Sequence, residues 1–357
     1  MIIKKHLLTI SAMCLFCMIF VCGCKANIGS SSADSSDAEA DLSSERSVFA
    51  MDTYMTLTAY GSAREDALDA AIAEIQRLEA LFNAEDPDSE ISQLNENGEA
   101  TVSKDTGYLI GRSLELYDST GGLFDIAIYP LMQAWGFTTQ DFAVPEEDTI
   151  SGLLKYTDAS RIEYDPDALT VRLPENMRID PGGIAKGYTS ASVVEIFEEY
   201  GITAGVVSLG GNVQVYGNKA DGSPWNIAIR DPDTSSGDYL GVLALSAPKA
   251  VITSGGYERY FEENGITYHH ILDPRTGYPA SSGLTSVTIV SSDGTLADGL
   301  STALFIMGKD DAVSYWRSHA DEFDFILLDD AGEIYISEGI EDIFSSDLYD
   351  INTVYAD

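Results

Sequence analysis

The sequence predicts an α+β fold, a single domain of mixed and antiparallel sheets packed with helices over residues 47–357. Strand-like segments outnumber helical ones. They come in runs rather than in strict alternation with helices, which argues against a doubly wound parallel sheet. No fixed-period repeat and no second linker interrupts this span, and a hydrophobic content of 45% is ample for one core.

The elements follow in order. Residues 47–61, "SVFAMDTYMTLTAYG", alternate apolar and polar around Met55, Leu57 and Ala59 and read as a strand. Residues 63–83 carry Leu68, Ala71, Ile72, Ile75, Leu78 and Phe82 at helical spacing. "DPDSEISQLN" breaks that helix at Pro87, and residues 105–122 form a second helix closed by Gly121 and Gly122. Short strands fit 161–164 and 169–173. "PGGIAKGYTSASVVEIFEEYG" reads as a glycine-rich turn feeding a helix that ends at Gly201. Strands are then expected at 204–208, 212–217, 225–230, 241–246, 250–253, 268–272 and 284–290. A helix opened by Asp298 and another near 309–319 precede two late strands, 323–328 and 333–337.

The N-terminus reads as an address. Lys4 and Lys5 precede an apolar stretch and small residues before Cys24, the pattern of a secretory signal peptide over residues 1–23. "VCGC" resembles the bacterial lipobox, which implies cleavage before Cys24 and a lipid (diacylglycerol, palmitate) on that residue. All four cysteines lie in this segment, so a thiol nucleophile, a Cys-ligated zinc and an iron–sulfur cluster are excluded from the mature domain. Residues 24–46 are small, polar and acidic and read as a disordered tether. A net charge of -38 excludes nucleic acid as a partner, because no basic stripe exists to neutralise phosphates. The same charge repels a phosphate ester at long range, so an anionic ligand calls for a bound cation.

Several segments carry possible chemistry. "DPGGIAKGYTSAS" lacks the Lys-Ser/Thr of a Walker A loop, but a glycine turn feeding a helix presents N–H groups to an anion, and Lys186 adds a charge. A tight turn with a surface lysine is the plain alternative. "SLGGNVQVYG" reads as a hairpin turn, or as backbone allowing close approach of a flat ligand. Ser254 is not in a nucleophile elbow. His269 and His270 are adjacent, so they face opposite sides of a strand. "DPRTG" is a turn that Asp273 can cap. In "ADGLSTALF", Asp298 and Thr302 stand four residues apart on one helix face. They can supply oxygens to one Mg²⁺, or Asp298 can simply complement the helix dipole.

Together these segments resemble the ApbE-type FAD:protein FMN transferases, from "MDT" at 51–53 to "DGLSTALFIMG" at 298–308. "FNAEDPDSEISQLN", "GGLFDIAIYPLMQAWGF", "DPGGIAKGY", "SLGGNVQVYG", "HHILDPRTGYP" and "ADGLSTALFIMG" occur in the family's order. The resemblance implies a T-fold-related domain that moves FMN from FAD onto a Thr or Ser hydroxyl of a client protein and releases AMP. It implies Met51, Leu123, Phe124, Asp125, Lys186, Leu272 and Asp273 as nucleotide contacts. It implies the Thr189 carbonyl, Asp298, Ser301 and Thr302 as Mg²⁺ ligands, and His270 with Asp298 as the catalytic pair, His270 for proton transfer or pyrophosphate contact. It further implies a lipid-anchored protein on the extracytoplasmic face of a bacterial membrane, with a membrane or exported redox subunit as client. Ala191 departs from the family, which usually has an acid there, so one nucleotide contact is expected to be missing. Two rival readings are an Mg²⁺-dependent FAD pyrophosphatase and a non-catalytic flavin-binding lipoprotein. Asp298→Ala is expected to abolish transfer with the fold intact, on the expectation that Asp298 lies near a helix start.

Overall fold

The computed structural model describes residues 42–233 and 239–357. The expected signal segment, Cys24 and most of the expected tether lie outside the described residues. In chain order the strands are β1 (Ser43–Ala50), β2 (Thr53–Tyr60), β3 (Glu99–Thr101), β4 (Glu163–Asp165), β5 (Thr170–Arg172), β6 (Ala204–Leu209), β7 (Asn212–Gly217), β8 (Trp225–Arg230), β9 (Tyr239–Leu245), β10 (Lys249–Gly255), β11 (Tyr260–Glu263), β12 (Ile266–His269), β13 (Leu284–Ser291), β14 (Phe323–Asp329), β15 (Ile334–Ser337), β16 (Phe344–Ser345) and β17 (Ile351–Val354). The helices are α1 (Arg64–Phe82), α2 (Glu90–Asn97), α3 (Lys104–Ser119), α4 (Tyr129–Ala134), α5 (Glu147–Leu153), α6 (Gly182–Glu199), α7 (Gly294–Met307) and α8 (Lys309–Arg317).

A nine-stranded sheet in the order β1-β2-β6-β7-β10-β13-β14-β15-β17 is the frame. Every neighbouring pair in it is antiparallel except β15 with β17. Its middle strands are covered on both faces, so β13 reads as a nearly continuous buried run rather than a clean alternation. Val287 and Ile289 face the helices, in a core with Ala297, Leu300 and Leu304 of α7. Val251 and Val290 face the opposite side, where the small β8–β9–β16 sheet contributes Trp225, Leu243 and Phe344. A third cluster joins Met55 and Leu57 of β2 to Leu68 and Ile75 of α1 and to Val193 and Phe197 of α6. The α+β class with mixed sheets is thus what the chain adopts.

Four local readings change. Residues 47–61 are two strands: β1 and β2 form a hairpin turning at Met51 and Asp52, both at positive φ. β1 turns its even-numbered residues inward and β2 its odd-numbered ones, a change of phase at Met51 and Asp52 that reading one strand around Met55, Leu57 and Ala59 passes over. Ser43–Arg46, assigned above to the tether, pair with Leu57–Tyr60. These polar residues suit an edge strand with one wet face. "DPDSEISQLN" also starts a helix, with the Ser89 hydroxyl accepting from the Ser92 N–H and Gly98 ending it at positive φ.

The last change matters most. Gly182, Gly183 and Gly187 are not a turn before α6 but part of it, and α7 begins at Gly294 under an Asp293 cap. Asp298 is therefore in the second turn of α7 and only 4% exposed. The glycine at 187 is there for packing: a Cβ on it would lie 2.2 Å from the Gly294 carbonyl oxygen and 2.7 Å from the Asp298 Cβ. Gly187→Ala is expected to lower the thermal midpoint by roughly 3–10 °C, the cost of overpacking a helix crossing that cannot give way. Differential scanning calorimetry of the two proteins checks this.

Candidate active site

Asp298 marks the centre. One carboxylate oxygen accepts the Gly187 backbone N–H at 2.8 Å and the other accepts the Asn212 side-chain amide at 2.9 Å. These donors come from α6 and from the start of β7, so the acid ties three elements together. One turn on, Thr302 lies beside Ser254 of β10, with 3.4 Å between hydroxyls. Ser254 is also 2.7 Å from the Ser301 hydroxyl, and Ser301 in turn donates to the Asp298 carbonyl at 2.8 Å. Asp298, Ser301 and Thr302 are thus brought together with Ser254, as an acid flanked by three hydroxyls.

Lys186 precedes the glycine that touches Asp298, and no acidic group lies within 4 Å of it among the described residues. Its charge acts on Asp180, Glu258 and His270. Glu258 lies over the β6–β7 turn, close to where a side chain on Gly211 would point. Desolvation raises its proton affinity; Lys186 and Arg230 oppose the rise and Asp298 adds to it. Asp180 accepts the Gly182 N–H at 2.8 Å, where α6 begins.

The adjacent histidines diverge. His269 Nε2 lies 3.0 Å from the Ala280 carbonyl, with its ring edge-on to Phe305. His270 turns to the Arg259 carbonyl, which accepts both its backbone N–H at 3.0 Å and its ring Nδ1–H at 3.1 Å. A carbonyl cannot donate, so this contact places the ring proton on Nδ1 and leaves Nε2 as the open lone pair. Desolvation, then the positive charge of Arg259, hold the imidazole far below its ordinary proton affinity. His270 is therefore a neutral base with a fixed tautomer.

The remaining expected contacts take structural partners. Met51 accepts a weak hydrogen bond from the Thr189 hydroxyl at its sulfur, 3.7 Å away, and its N–H donates to Glu79 at 2.7 Å. Thr189 is fully buried, and it is Gly187, two residues away and on another side of α6, that meets Asp298. The Phe124 ring edge lies against Gly183 and Gly299, between α6 and α7, and Leu123 is buried in the same core. Both Asp125 oxygens accept loop N–H groups, those of Ala127 and Asp158 at 2.8 Å each. Asp273 caps its own turn and pairs with Arg275 at 2.7 Å. Leu272 is buried with Leu131, Trp135, Phe137 and Ile150. Ala191 lines a separate groove of about 500 Å³ with Tyr108, Tyr188, Asp293 and Thr295, which none of Lys186, Glu258, His270 or Asp298 lines.

Sequence reasoning missed Asp180, Asn212, Glu258 and Arg259. Asn212 and Asp180 lay inside segments read as turns. Glu258 and Arg259 lay in "GGYERY", where charged residues flanking a glycine pair were the available signal.

A largely antiparallel sheet with helices packed on it, holding an acid, hydroxyls, a neutral imidazole and cations that form no ion pair among the described residues, is the framework of an enzyme that handles an anionic ligand. The ApbE family model matches residues 51–327, and the chain belongs to that family. It is 30% identical over 268 residues to a FAD:protein FMN transferase of Vibrio cholerae, covering 72% of this chain and 78% of that one. It is 31% identical over 267 residues to another of Klebsiella pneumoniae, covering 74% and 82%. Among solved structures, the ApbE protein of Thermotoga maritima superposes with a TM-score of 0.79 at 32% identity, covering 85% of this chain and all of that one.

The tautomer is directly observable. Imidazole nitrogen NMR on selectively labelled protein is expected to show His270 neutral, protonated on Nδ1, as pH is lowered through 6.5. A ring that gains its second proton near its ordinary value contradicts the site geometry.

Proposed function

We propose that this chain transfers FMN from FAD to a Thr or Ser hydroxyl of a client protein and releases AMP. Family membership supports the reaction. The observation that carries it to named residues is the convergence of Asp298, Lys186 and a neutral His270 on one region of the fold. The hydroxyl oxygen bonds to the FMN phosphorus, its proton passes to His270 Nε2, and the bond from that phosphorus to the bridging oxygen breaks, leaving that oxygen on AMP. AMP phosphate is a good leaving group, so the enzyme's task is to position the reactants and balance charge. Lys186 supplies a positive charge that forms no ion pair within 4 Å among the described residues, and the Arg259 carbonyl keeps the His270 lone pair available.

Mg²⁺ is part of this reading. Among the described residues no group of three His, Cys, Asp or Glu side chains could hold a metal. A cation here would depend on one carboxylate, neutral oxygens and the substrate's phosphates, the mixed oxygen shell that Mg²⁺ accepts. Asp298 fits, since two N–H donors leave its remaining lone pairs free. Thr302, Ser301 and Ser254 supply neutral oxygens alongside. Thr189 is the weakest member of the expected set, because its contacts run to Ala185 and Met51. Bound there, Mg²⁺ would neutralise the pyrophosphate. Lys186 is the favoured nucleotide contact, because its ammonium forms no ion pair within 4 Å among the described residues.

We also propose that Cys24 carries the lipid, holding the domain on the extracytoplasmic face of a bacterial membrane beside an exported or membrane client. No helix among the described residues is long and apolar enough to cross a membrane.

Asp298→Asn is expected to cut transfer by about 100-fold or more. It should stay folded, whereas Asp298→Ala strands two buried donors at about 1–3 kcal/mol each. The assay is in-gel flavin fluorescence with FAD, Mg²⁺ and a client domain; undiminished transfer in EDTA overturns the metal role. Cys24→Ser should abolish palmitate labelling and release the protein from the membrane fraction, and retained labelling refutes the anchor.

A further inference from the structure

His270 follows a hairpin that stands outside the large sheet: β11 and β12 form their own two-stranded sheet, joined by Asn264 and Gly265 at positive φ. Such a hairpin is marginally stable alone. Its orientation decides where the Arg259 carbonyl points, and that carbonyl fixes the His270 ring. What packs on the hairpin therefore aims the base.

That packing comes from the loop after α4. The Phe261 ring of β11 is stacked between Tyr268, at 5.3 Å and 23°, and Phe142, at 5.3 Å and 12°. Phe137 adds ring contacts to Phe261 at 5.8 Å and to His270 at 6.4 Å. Two polar contacts run the same way: Arg259 donates to the Phe137 carbonyl at 3.3 Å, and the Val144 N–H donates to Glu263 at 3.4 Å. The loop is itself stiff. Gln140 N–H bonds to the Gly136 carbonyl at 2.8 Å, and the Asp141 carbonyl packs where a side chain at 136 would be, 2.2 Å from its Cβ. Phe137 is buried in the core, while Phe142 is 37% exposed. Phe142 thus contributes its ring to the stack without being part of the interior.

We propose that Phe142 is a positioning residue for His270, holding the β11–β12 hairpin by its stack on Phe261 so that the Arg259 carbonyl keeps the imidazole in place. The proposal rests on the reading of His270 as the proton acceptor. The Phe142 ring acts at second hand, through Phe261 and the Arg259 backbone and through Phe137, which it meets edge-on at 5.8 Å.

Phe142→Ala in the otherwise intact protein is the test, with Phe142→Tyr as the conservative control. The alanine variant is expected to lower kcat by on the order of 10- to 100-fold, the effect of a base displaced by a fraction of an ångström to an ångström. KM for FAD should stay within about twofold, and the thermal midpoint should stay close to that of the parent, because Phe142 lies at the surface. Phe142→Tyr should restore kcat. The His270 nitrogen spectrum of Phe142→Ala should show the Nδ1 tautomer giving way to a mixture. Unchanged kcat, equal loss in Phe142→Tyr, a rise in KM alone, or an unaltered tautomer overturns the proposal. His270→Ala separates it from its premise. Full transfer without the imidazole defeats the reading of His270 itself, whereas lost transfer there with normal Phe142→Ala activity defeats only the positioning role.

Discussion

A carboxylate taken out of water must find donors, and the way Asp298 finds them organises the domain. Burying such a charge unpaired costs several kcal/mol. Its two oxygens recruit a backbone N–H of α6 and the Asn212 amide at the head of β7. The first contact is possible only because residue 187 has no side chain, so two helices meet at a separation that any other residue would prevent. The group proposed to hold a cation is therefore also a strut of the fold, and the hydroxyl cluster of Ser254, Ser301 and Thr302 is placed by the same junction.

Charge is distributed unevenly around that strut. The chain as a whole is strongly acidic, yet Lys186, Arg230 and Arg259 gather around Glu258 without forming an ion pair within 4 Å among the described residues. Elsewhere arginines do pair, as Arg77 does with Glu74 and Asp105. Cations left open beside acids of raised proton affinity leave electrostatic work for a ligand to complete. His270 belongs to the same field: nearby positive charge and desolvation disfavour its protonated form.

Much of this was legible in the sequence. The helical stripe of α1, the strands near 204–217 and the acid-then-hydroxyl spacing of Asp298 and Thr302 follow from periodicities of 3.6 and 2. The α+β class followed from the order of such segments. Functions set by three-dimensional neighbours did not. Gly182, Gly183 and Gly187 look like a loop until α7 is seen packed against them. The motif around Leu272 and Asp273 does not show that their partners within the fold are a hydrophobic cluster and an arginine two residues on. Glu258 and Asn212 carry no spacing signal, because what makes them notable is a long-range approach to Lys186 and Asp298.

The β1–β2 hairpin bears on mechanics. β1 is the outermost strand of its sheet, and Ser43 pairs with Tyr60 at the open end, farthest from the turn at Met51 and Asp52. A pull arriving through the chain before Ser43 and directed away from the sheet would load one rung of the ladder at a time, as in opening a zip, with the Arg46–Glu65 ion pair and the Arg64–Ser44 hydrogen bond resisting at that end. Tension on the N-terminal segment would be dissipated by fraying at the open end, several residues from Met51 and its contacts to Glu79 and Thr189.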